Sequence, residues 1–405
     1  MTSNARVVVI GAGLAGVRLA RRLGELGTPV TLIGEEEHRP YNRVLLAEVL
    51  AGRYSPEVIA LPAPAELTRA RVTGIDRAGR TVRCADGSVI AYDTLVLATG
   101  SNAVLPPLRG LFTPDRELPE GVHAFRTMDD CLGLSKAVRP GARAVVVGGG
   151  LLGVSAARAL AVRGAQVVLA QQSERLMERQ LDPAASALVR RHLEDLGVEV
   201  HTECRVRDVR PVGGAVRSVE MADGYALGAD LVVLACGVRP RVGLAQAAGL
   251  DVAKGVVVDD ELRTSDPHIR AVGDCAEHAG TVYGLAAPAL EQAGVLAALL
   301  AGDRAARYTG TRSLTRLTLT GPDSPFDLAA FGETDPRPGD DVVRLADATR
   351  GTYRKVVVRD DRLVGGVLVG ELGTVGALAR AWEGAEPLPS DGGPLLHLLT
   401  NDGGS

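Results

Sequence analysis

The most constraining feature of the sequence is a glycine pattern that occurs twice. GAGLAG begins at Gly11 and GGGLLG begins at Gly148. In each copy a short apolar run precedes the glycines, a helix-like stretch follows them, and a second apolar run comes next. Each copy therefore predicts a strand, a tight turn, a helix and a parallel strand, which together form one βαβ unit.

Each glycine in such a unit has its own physical reason. The first allows the tight turn, the second lets the backbone approach a pyrophosphate, and the third lets the helix pack on the strand. The N-terminus of the helix then presents free N–H groups and a partial positive charge to the phosphates. Two copies in register, each inside a complete unit, predict two dinucleotide sites and a transfer of electrons between two cofactors.

The rest of the chain predicts how these units are extended. YDTLVLATGS, ADLVVLACGVRP and IRAVGDCAEH are apolar strands that end in small residues, and the character of the sequence changes from about residue 311. Short strands and a final helix around VGALARAW follow. We expect an α/β fold with two Rossmann-like, three-layer domains and a small C-terminal α+β domain.

Composition excludes several classes of function. With 45 basic and 49 acidic residues among 405, the net charge of −4 favours neither nucleic acid nor an anionic membrane. No run of 18 apolar residues predicts a membrane span. The five cysteines are scattered and the seven histidines show no ligand spacing, so we expect no disulfide framework and no metal site. A reducing cytoplasm is the expected location.

Several segments carry a resemblance to a known family. The two glycine patterns, LVLATGS, LVVLACGVRP and AVGDCAE resemble the flavoproteins with two dinucleotide-binding domains, of the ferredoxin, rubredoxin and nitrite reductase type. RPYNRVLLAEVLAG, LMERQLD, GLAAPALEQAG and RGTYRKVVVRDDRLVGGVLVG are most similar to the flavin-carrying N-terminal part of assimilatory nitrite reductase large subunits. Those enzymes continue into cysteine-rich modules, so we expect a free-standing relative that does not reduce nitrite alone.

The resemblance implies a division into domains. It places an FAD-binding domain at 1–110 together with 245–312, an NAD(P)H-binding domain at 115–244, and a C-terminal domain at 313–405.

The resemblance also implies that FAD binds to the first copy. Glu35 follows the second strand of that unit, where a carboxylate accepts hydrogen bonds from the adenosine ribose. Asp274 would bond the ribityl chain, and a helix predicted to begin near Pro288 would direct its positive end at the flavin. Arg43 and Arg126 match family positions near FAD or form ordinary ion pairs. The implied FAD-binding residues are Gly11, Gly13, Leu14, Ala15, Gly16, Glu35, Arg43, Ala98, Thr99, Gly100, Arg126, Gly273, Asp274 and Pro288.

NADH or NADPH would bind to the second copy. Gln172 stands where Glu35 stands in the first copy, and it removes the repulsion that an acid would exert on a 2′-phosphate. Arg175 either reaches such a phosphate or is solvated, so the choice between the two nucleotides stays open. The implied residues are Gly148, Gly150, Leu151, Leu152, Gly153, Gln172, Arg175, Cys236 and Gly237.

Two positions depart from the family pattern. Many relatives carry a glutamate at the position of Ser155 and a lysine, which pairs with it near the flavin, in the stretch that here holds Ala47 and Glu48. Ser155 and Glu48 are thus the candidate catalytic residues at the contact between nicotinamide and flavin. Either the change is neutral, because hydride transfer needs positioning more than acid–base help, or the site is remodelled.

We expect an FAD-dependent NAD(P)H oxidoreductase that passes electrons to a ferredoxin- or rubredoxin-like protein or to a small molecule. PYNRVLLAEVL contains no cysteine over the flavin, which argues against disulfide reduction. Cys236 and Cys275 are expected to be structural thiols. Two alternatives stay open, namely a flavoenzyme for a small metabolite with a weakened nicotinamide site, and a redox-sensing flavoprotein without turnover.

Overall fold

Strands and helices alternate along most of the chain in the computed structural model, which describes residues 6–62, 67–312, 314–321 and 325–384. The eight helices of this part are α1 (Leu14–Glu25), α2 (Leu46–Leu50), α3 (Met128–Ala137), α4 (Leu151–Val162), α5 (Pro183–Asp195), α6 (Gly243–Ala247), α7 (Ala286–Leu300) and α8 (Val375–Gly384). Two 3-10 turns lie at Arg43–Leu45 and Gly273–Cys275.

The strands of the described part are short. In chain order they are β1 (Val7–Ile10), β2 (Val30–Gly34), β3 (Leu67–Arg69), β4 (Val72–Asp76), β5 (Thr81–Cys84), β6 (Val89–Ala91), β7 (Thr94–Leu97), β8 (Ser101–Ala103), β9 (Val122–Ala124), β10 (Arg143–Val147), β11 (Gln166–Ala170), β12 (Glu199–His201), β13 (Val206–Val212), β14 (Ala215–Met221), β15 (Ala226–Gly228), β16 (Leu231–Leu234), β17 (Val238–Pro240), β18 (Val256–Val258), β19 (Ile269–Ala271), β20 (Ala276–His278), β21 (Leu314–Thr320), β22 (Pro325–Gly332), β23 (Asp341–Asp347), β24 (Thr352–Arg359) and β25 (Arg362–Gly370).

The first glycine copy lies in a parallel five-stranded sheet of order β19-β7-β1-β2-β3. β1 is a continuous apolar run because it is buried on both faces, as central parallel strands are. The core beneath it contains buried residues of α1 and α7 and of the antiparallel sheet β4-β5-β6. The edge strand β19 comes from a part of the chain far beyond the second copy.

The second copy repeats this arrangement in a sheet of order β12-β11-β10-β16-β9, which is also parallel throughout. In both copies the helix after the glycines is 12 residues long, and the strand after that helix pairs beside the first. The antiparallel pairing of β8 with β17 joins the segments that link the two sheets. The two predicted βαβ units are confirmed.

The described part of the C-terminal region is an antiparallel sheet of order β21-β22-β25-β24-β23 with α8 packed on it. Trp382 of α8 is 5.2 Å from Phe331 of β22, measured between ring centroids. The face of the sheet toward the rest of the chain shares one apolar cluster with α2 and with the second parallel sheet. The predicted α/β fold with a small C-terminal α+β region is confirmed, while residues 385–405 lie outside the described residues.

The helix predicted to start near Pro288 is α7. It begins at Ala286, with Leu285 as its N-cap, so Pro288 is its third residue. Proline needs no hydrogen-bond acceptor for its nitrogen anywhere in the first turn, where the N–H groups have no intrahelical partner. The residue is therefore compatible with the third position of the helix as well as with the first.

Candidate functional site

The carboxyl ends of both parallel sheets open on one large cleft. Its volume is about 1960 Å³, and its walls contain both glycine turns, the start of α7 and the strand β21. A pocket for one drug-sized ligand measures about 300–1,000 Å³, so this cleft has room for two long ligands. Open α/β sheets bind their ligands at this end of the strands.

The first and third glycines of each turn are required by steric contacts. Gly11 and Gly148 have φ of +113° and +107°, in the region that side chains rarely adopt. A Cβ atom on Gly16 would lie 1.9 Å from the carbonyl oxygen of Gly11, and one on Gly153 would lie 1.8 Å from that of Gly148. Only glycine lets each helix approach its turn this closely.

The second glycine of each turn is free of such contacts and faces the cleft. A Cβ atom added to Gly13 or Gly150 would meet nothing within 4 Å among the described residues. Both glycines are N-caps without a side-chain hydrogen bond in the described structure, and the first turns of α1 and α4 contain no acidic residue. These helix ends therefore offer N–H groups and positive potential to a phosphate.

A third helix end completes this pattern. α7 begins at the cleft with Leu285 as N-cap, and among the described residues no side chain caps it. Its N-terminus is held in place by Gln292, whose Oε1 accepts a hydrogen bond of 2.7 Å from the backbone N–H of Gly273. Three positive helix ends thus converge on one cavity, which suits two anionic dinucleotides.

Most of the residues predicted from sequence line this cleft. On the first side these are Gly11, Gly13, Leu14, Ala15, Glu35, Arg43, Ala98, Thr99, Gly100, Arg126, Gly273 and Asp274. On the second side they are Gly148, Gly150, Leu151, Leu152, Ser155, Gln172, Cys236 and Gly237. Five predicted residues do not line it, namely Gly16, Gly153, Pro288, Glu48 and Arg175. Gly16 and Gly153 instead serve the close packing described above.

Asp274 forms a hydrogen-bonded cluster at the centre of the first side. Its Oδ2 accepts bonds from Arg126 Nη2 at 2.7 Å and from Ser101 Oγ at 2.8 Å. The Asp274 side chain is only 16% exposed and that of Arg126 only 21% exposed. This partial burial and the two bonds fix the carboxylate at the cleft wall, with further lone pairs for a ligand hydroxyl.

Glu35 and Arg43 lie at the ends of this first side. The carboxylate of Glu35, directly after β2, lies 2.5 Å from Arg241 Nη1 and 3.9 Å from Arg71 Nε. Arg43 pairs with Glu36 and donates a bond of 3.1 Å to the carbonyl of Arg126. Arg43 therefore both lines the cleft and forms an ion pair, so the two roles considered for it are compatible.

The end of β11 carries the corresponding position of the second side. Gln172 is exposed there, as the sequence alignment of the two copies predicts. Arg175 is not among the residues that line the cleft, and its Nη1 lies 3.8 Å from Glu174, which favours the second of the two roles considered for it. Arg179 and Arg205 line the cleft instead, and neither forms an ion pair with a described residue.

Gln171 is a residue that the sequence reasoning missed. Its Oε1 accepts a hydrogen bond of 2.7 Å from the backbone N–H of Gly149, inside the second glycine turn. The equivalent pair in the first copy is Gly34 and Ala12, where a Cβ atom on Gly34 would lie 2.7 Å from the Ala12 side chain. The glycine of this pair is at position 34 in the first copy and at position 149 in the second. Aligning the two copies without gaps shows this exchange, so the sequence does contain a signal for Gln171.

The two candidate catalytic residues do not contact each other in the way the family pattern implied. The Ser155 hydroxyl donates a bond of 2.8 Å to the carbonyl of Leu151 in its own helix. Glu48 lies behind the cleft wall and pairs with Arg158 at 2.5 Å and with Arg53 at 3.3 Å. Ser155 lines the cleft and Glu48 does not, which corrects the expectation that Glu48 lies at the cofactor contact.

The thiols near the cleft are poor nucleophiles. Burial raises the pKa of Cys236 to about 11, and burial also raises the pKa of Cys204. Since the thiolate is the reactive form, neither suits disulfide chemistry at neutral pH. All five cysteines are free.

The described ranges contain neither a metal-binding cluster nor a membrane-spanning helix. Within residues 6–62, 67–312, 314–321 and 325–384, no group of three or more His, Cys, Asp or Glu side chains is arranged to hold a metal ion. The helices of that same part of the chain are all too short or too polar to cross a membrane.

Two dinucleotide-type units that face one cleft, with a third helix end between them, define a class of two-cofactor oxidoreductases. Residues 5–293 match the family model of the pyridine nucleotide-disulphide oxidoreductases. The chain belongs to this family, and its cofactors are FAD and NAD(P)H. Residues 322–383 match the model of the rubredoxin NAD+ reductase C-terminal domain.

Individual relatives extend this result. Over 90% of its length the chain is 34% identical to an assimilatory nitrate reductase electron transfer subunit of Bacillus subtilis, of which the match covers 48%. It is also 33% identical to a probable ferredoxin reductase of Castellaniella defragrans, with 90% of each chain covered. The chain thus spans about half the length of the first curated relatives it matches.

Solved structures show the same arrangement. The crystal structure of a covalent putidaredoxin reductase–putidaredoxin complex superimposes with a TM-score of 0.86 at 27% identity, covering 98% of this chain and 99% of that one. A ferredoxin reductase from Rhodopseudomonas palustris gives a TM-score of 0.80 at 30% identity and covers 90% and 91% of the two chains.

Proposed function

We propose that this chain is an FAD-dependent NAD(P)H oxidoreductase that delivers electrons to a small redox protein of the ferredoxin or rubredoxin type. One observation carries the proposal: two uncapped helix ends with an open second glycine, Gly13 and Gly150, face the same cleft. When bound there, the two cofactors supply the redox chemistry, since a hydride passes from nicotinamide to flavin and electrons leave for the acceptor.

The residues on the first side would hold FAD. The N-terminus of α1 stabilises the pyrophosphate, and Glu35 accepts bonds from ribose hydroxyls. Asp274, fixed by Arg126, accepts a bond from the ribityl chain, while the N-terminus of α7 favours negative charge on the flavin. We take 1–110 with 245–312 as the FAD-binding domain, a division that the pairing of β19 with β7 supports.

The residues on the second side, within 115–244, would hold the nicotinamide nucleotide. The close agreement of Gly148 with Gly11 in φ supports the same phosphate-binding turn in both copies. Gln172 accepts or donates hydrogen bonds without charge, and Arg179 and Arg205 add positive charge to the same wall. We infer that this side takes NADPH at least as well as NADH.

The acceptor side involves the C-terminal region, 313–405. Leu314 and Leu317 of β21 line the cleft and exclude water from it. The match to a rubredoxin reductase C-terminal domain and the likeness to a reductase solved in complex with putidaredoxin support a small iron-containing protein as partner. The five free cysteines support a reducing compartment such as the cytoplasm.

The test is an anaerobic titration of the yellow holoprotein with NADH and, separately, with NADPH, followed by the visible absorbance of the flavin. We expect stoichiometric bleaching, and reoxidation upon addition of a ferredoxin or rubredoxin. If neither nucleotide bleaches a flavin that dithionite reduces, the proposal is wrong and a flavoenzyme for a small metabolite replaces it.

A further inference from the structure

A buried ion pair joins three parts of the chain behind the cleft. Arg158 of α4 is fully buried, and its Nη2 lies 2.5 Å from Glu48 Oε1 in α2, whose side chain is 14% exposed. Its Nη1 donates a bond of 2.9 Å to the carbonyl of Thr320 at the end of β21. One guanidinium therefore joins α2, α4 and the end of β21. α2 lies within 1–110, the segment proposed to bind FAD.

This guanidinium depends on Glu48 for its charge balance. Among the described residues Glu48 is its only acidic partner, and its buried Nε has no partner there at all. Burial, which disfavours the charged form, lowers the pKa of Arg158, and the Glu48 carboxylate opposes that effect. Burying a cation whose N–H groups are not all hydrogen-bonded lowers the stability of the fold. The presence of Arg158 is therefore better explained if it fixes the relative positions of the elements that it contacts.

The pair lies directly behind both cofactor walls. Arg158 is three residues after Ser155 on α4, and Ser155 lines the cleft. On the other helix, Ala47 lines the cleft and Glu48 follows it directly. Neither Arg158 nor Glu48 lines the cleft itself, so the pair connects the two walls without touching a ligand there.

We propose that Glu48 and Arg158 form a positioning pair that holds the nucleotide-binding unit at a fixed distance from the flavin-binding unit. The inference rests on the proposed function.

The pair should affect the rate of transfer rather than the affinity for nucleotide. The helix end at Gly150 and the wall at Gln172 both belong to the second unit, so binding contacts stay intact when that unit shifts as a body. Transfer between cofactors requires both units in register, and a misplacement of about 1 Å can cost about 100-fold in rate.

The experiment compares Arg158→Met with Arg158→Lys and with a matched control, Arg190→Met. Arg190 pairs with Glu194 inside α5, so this control removes an ion pair of the same chemistry that joins no units. Glu48→Gln is a second test, since it keeps an acceptor for Arg158 and removes only the charge. Holoprotein is used throughout, and flavin content is measured first.

Three readouts separate positioning from folding. Anaerobic stopped-flow with NADPH gives the limiting rate of flavin reduction and the apparent Kd. Calorimetry with NADP+ gives the affinity without turnover, and amide hydrogen exchange reports on α2. We expect Arg158→Met to lower the limiting rate about tenfold or more, to leave Kd within about twofold, and to speed exchange in α2. Arg158→Lys should recover part of the rate, and Arg190→Met should match the parent protein.

Two results overturn the inference. A limiting rate within twofold of the parent protein in both Arg158→Met and Glu48→Gln would leave the pair with a structural role only. A variant that binds the nucleotide more weakly but keeps the limiting rate of the parent protein would show that the pair acts on affinity and not on positioning. Failure of the parent protein itself to react with either nucleotide is a separate result, which refutes the proposed function and the inference together.

Discussion

Replacing Gly150 by aspartate should separate folding from nucleotide binding. Gly150 has φ −79° and ψ −175°, an extended conformation that aspartate adopts readily, and a Cβ atom there meets nothing within 4 Å among the described residues. Aspartate is also a better N-cap than glycine, by a few tenths of a kcal/mol, and its charge interacts favourably with the helix end. The free energy of unfolding of the apoprotein should therefore stay constant or rise by about 0.5 kcal/mol.

The same carboxylate would occupy the place of a pyrophosphate. Two unit charges about 4 Å apart repel by about 4 kcal/mol at an effective dielectric constant of about 20 and by about 1 kcal/mol in bulk water. The cleft lies between these limits, so the Kd for NADP+ should rise at least about fivefold and as much as about a thousandfold. FAD should remain bound, because its cradle is the turn at Gly13.

The assay is calorimetry with NADP+ together with urea unfolding of the apoprotein and a count of bound flavin. Gly13→Asp is the matched control and should give the reverse result, with FAD lost and NADP+ bound. If Gly150→Asp binds NADP+ as the parent protein does, or if both variants lose the same cofactor, the assignment of one cradle to each cofactor is wrong.

Three further predictions concern other contacts. Gln172→Glu should raise the preference for NADH over NADPH at least about tenfold in kcat/KM, since a carboxylate repels a 2′-phosphate; an unchanged ratio would place that phosphate elsewhere. Gly153→Ala should destabilise the protein by about 1–3 kcal/mol in urea unfolding, because its Cβ would lie 1.8 Å from a carbonyl oxygen; an unchanged midpoint would contradict this. Lys355→Met should cost about 3–5 kcal/mol, because Lys355 Nζ is the buried partner of Asp182 at 2.9 Å; a loss below about 1 kcal/mol would refute it. Burial raises the pKa of Asp182, but hydrogen bonds from Lys355 and other donors outweigh that effect, so the folded pKa lies below the usual value. The ionised Asp182 therefore adds stability above its unfolded pKa of about 3.9, and this stability is lost as the pH falls through the lower folded pKa. Lys355→Met should make the free energy of unfolding less dependent on pH in this range.

The two βαβ units followed from sequence because their causes are local. Each of the three glycine positions has its own requirement: a positive φ at the first, open space at the second and close contact with a carbonyl oxygen at the third. Because all three requirements select glycine, the turn appears in the sequence as glycines at a fixed spacing. The gap-free alignment of the copies places Gln172 opposite Glu35, and both residues line the cleft. Edge strands are different, since nothing local to Ile269–Ala271 indicates which sheet that strand joins.

The side-chain contacts across the cleft wall could not be predicted in this way. Arg175 follows β11 closely in sequence, yet the cleft wall contains Arg179 and not Arg175. The helix predicted near Pro288 begins slightly earlier, at Ala286, because proline is accepted throughout the first turn and does not fix a position within it. Both outcomes depend on the path of the backbone over a few residues, which local sequence signals do not determine.

The replacement of the family glutamate by Ser155 is explained by a residue that the sequence does show. Arg158 interrupts the apolar run SAARALAV on a helix that is buried on most sides, and an arginine there requires a carboxylate from another element. Glu48 supplies it, with its Oε1 2.5 Å from Arg158 Nη2. A glutamate at 155 would then lie on the same helix face as Arg158 and compete with Glu48 for it. A serine that bonds its own helix avoids this competition and leaves the cleft wall polar but uncharged.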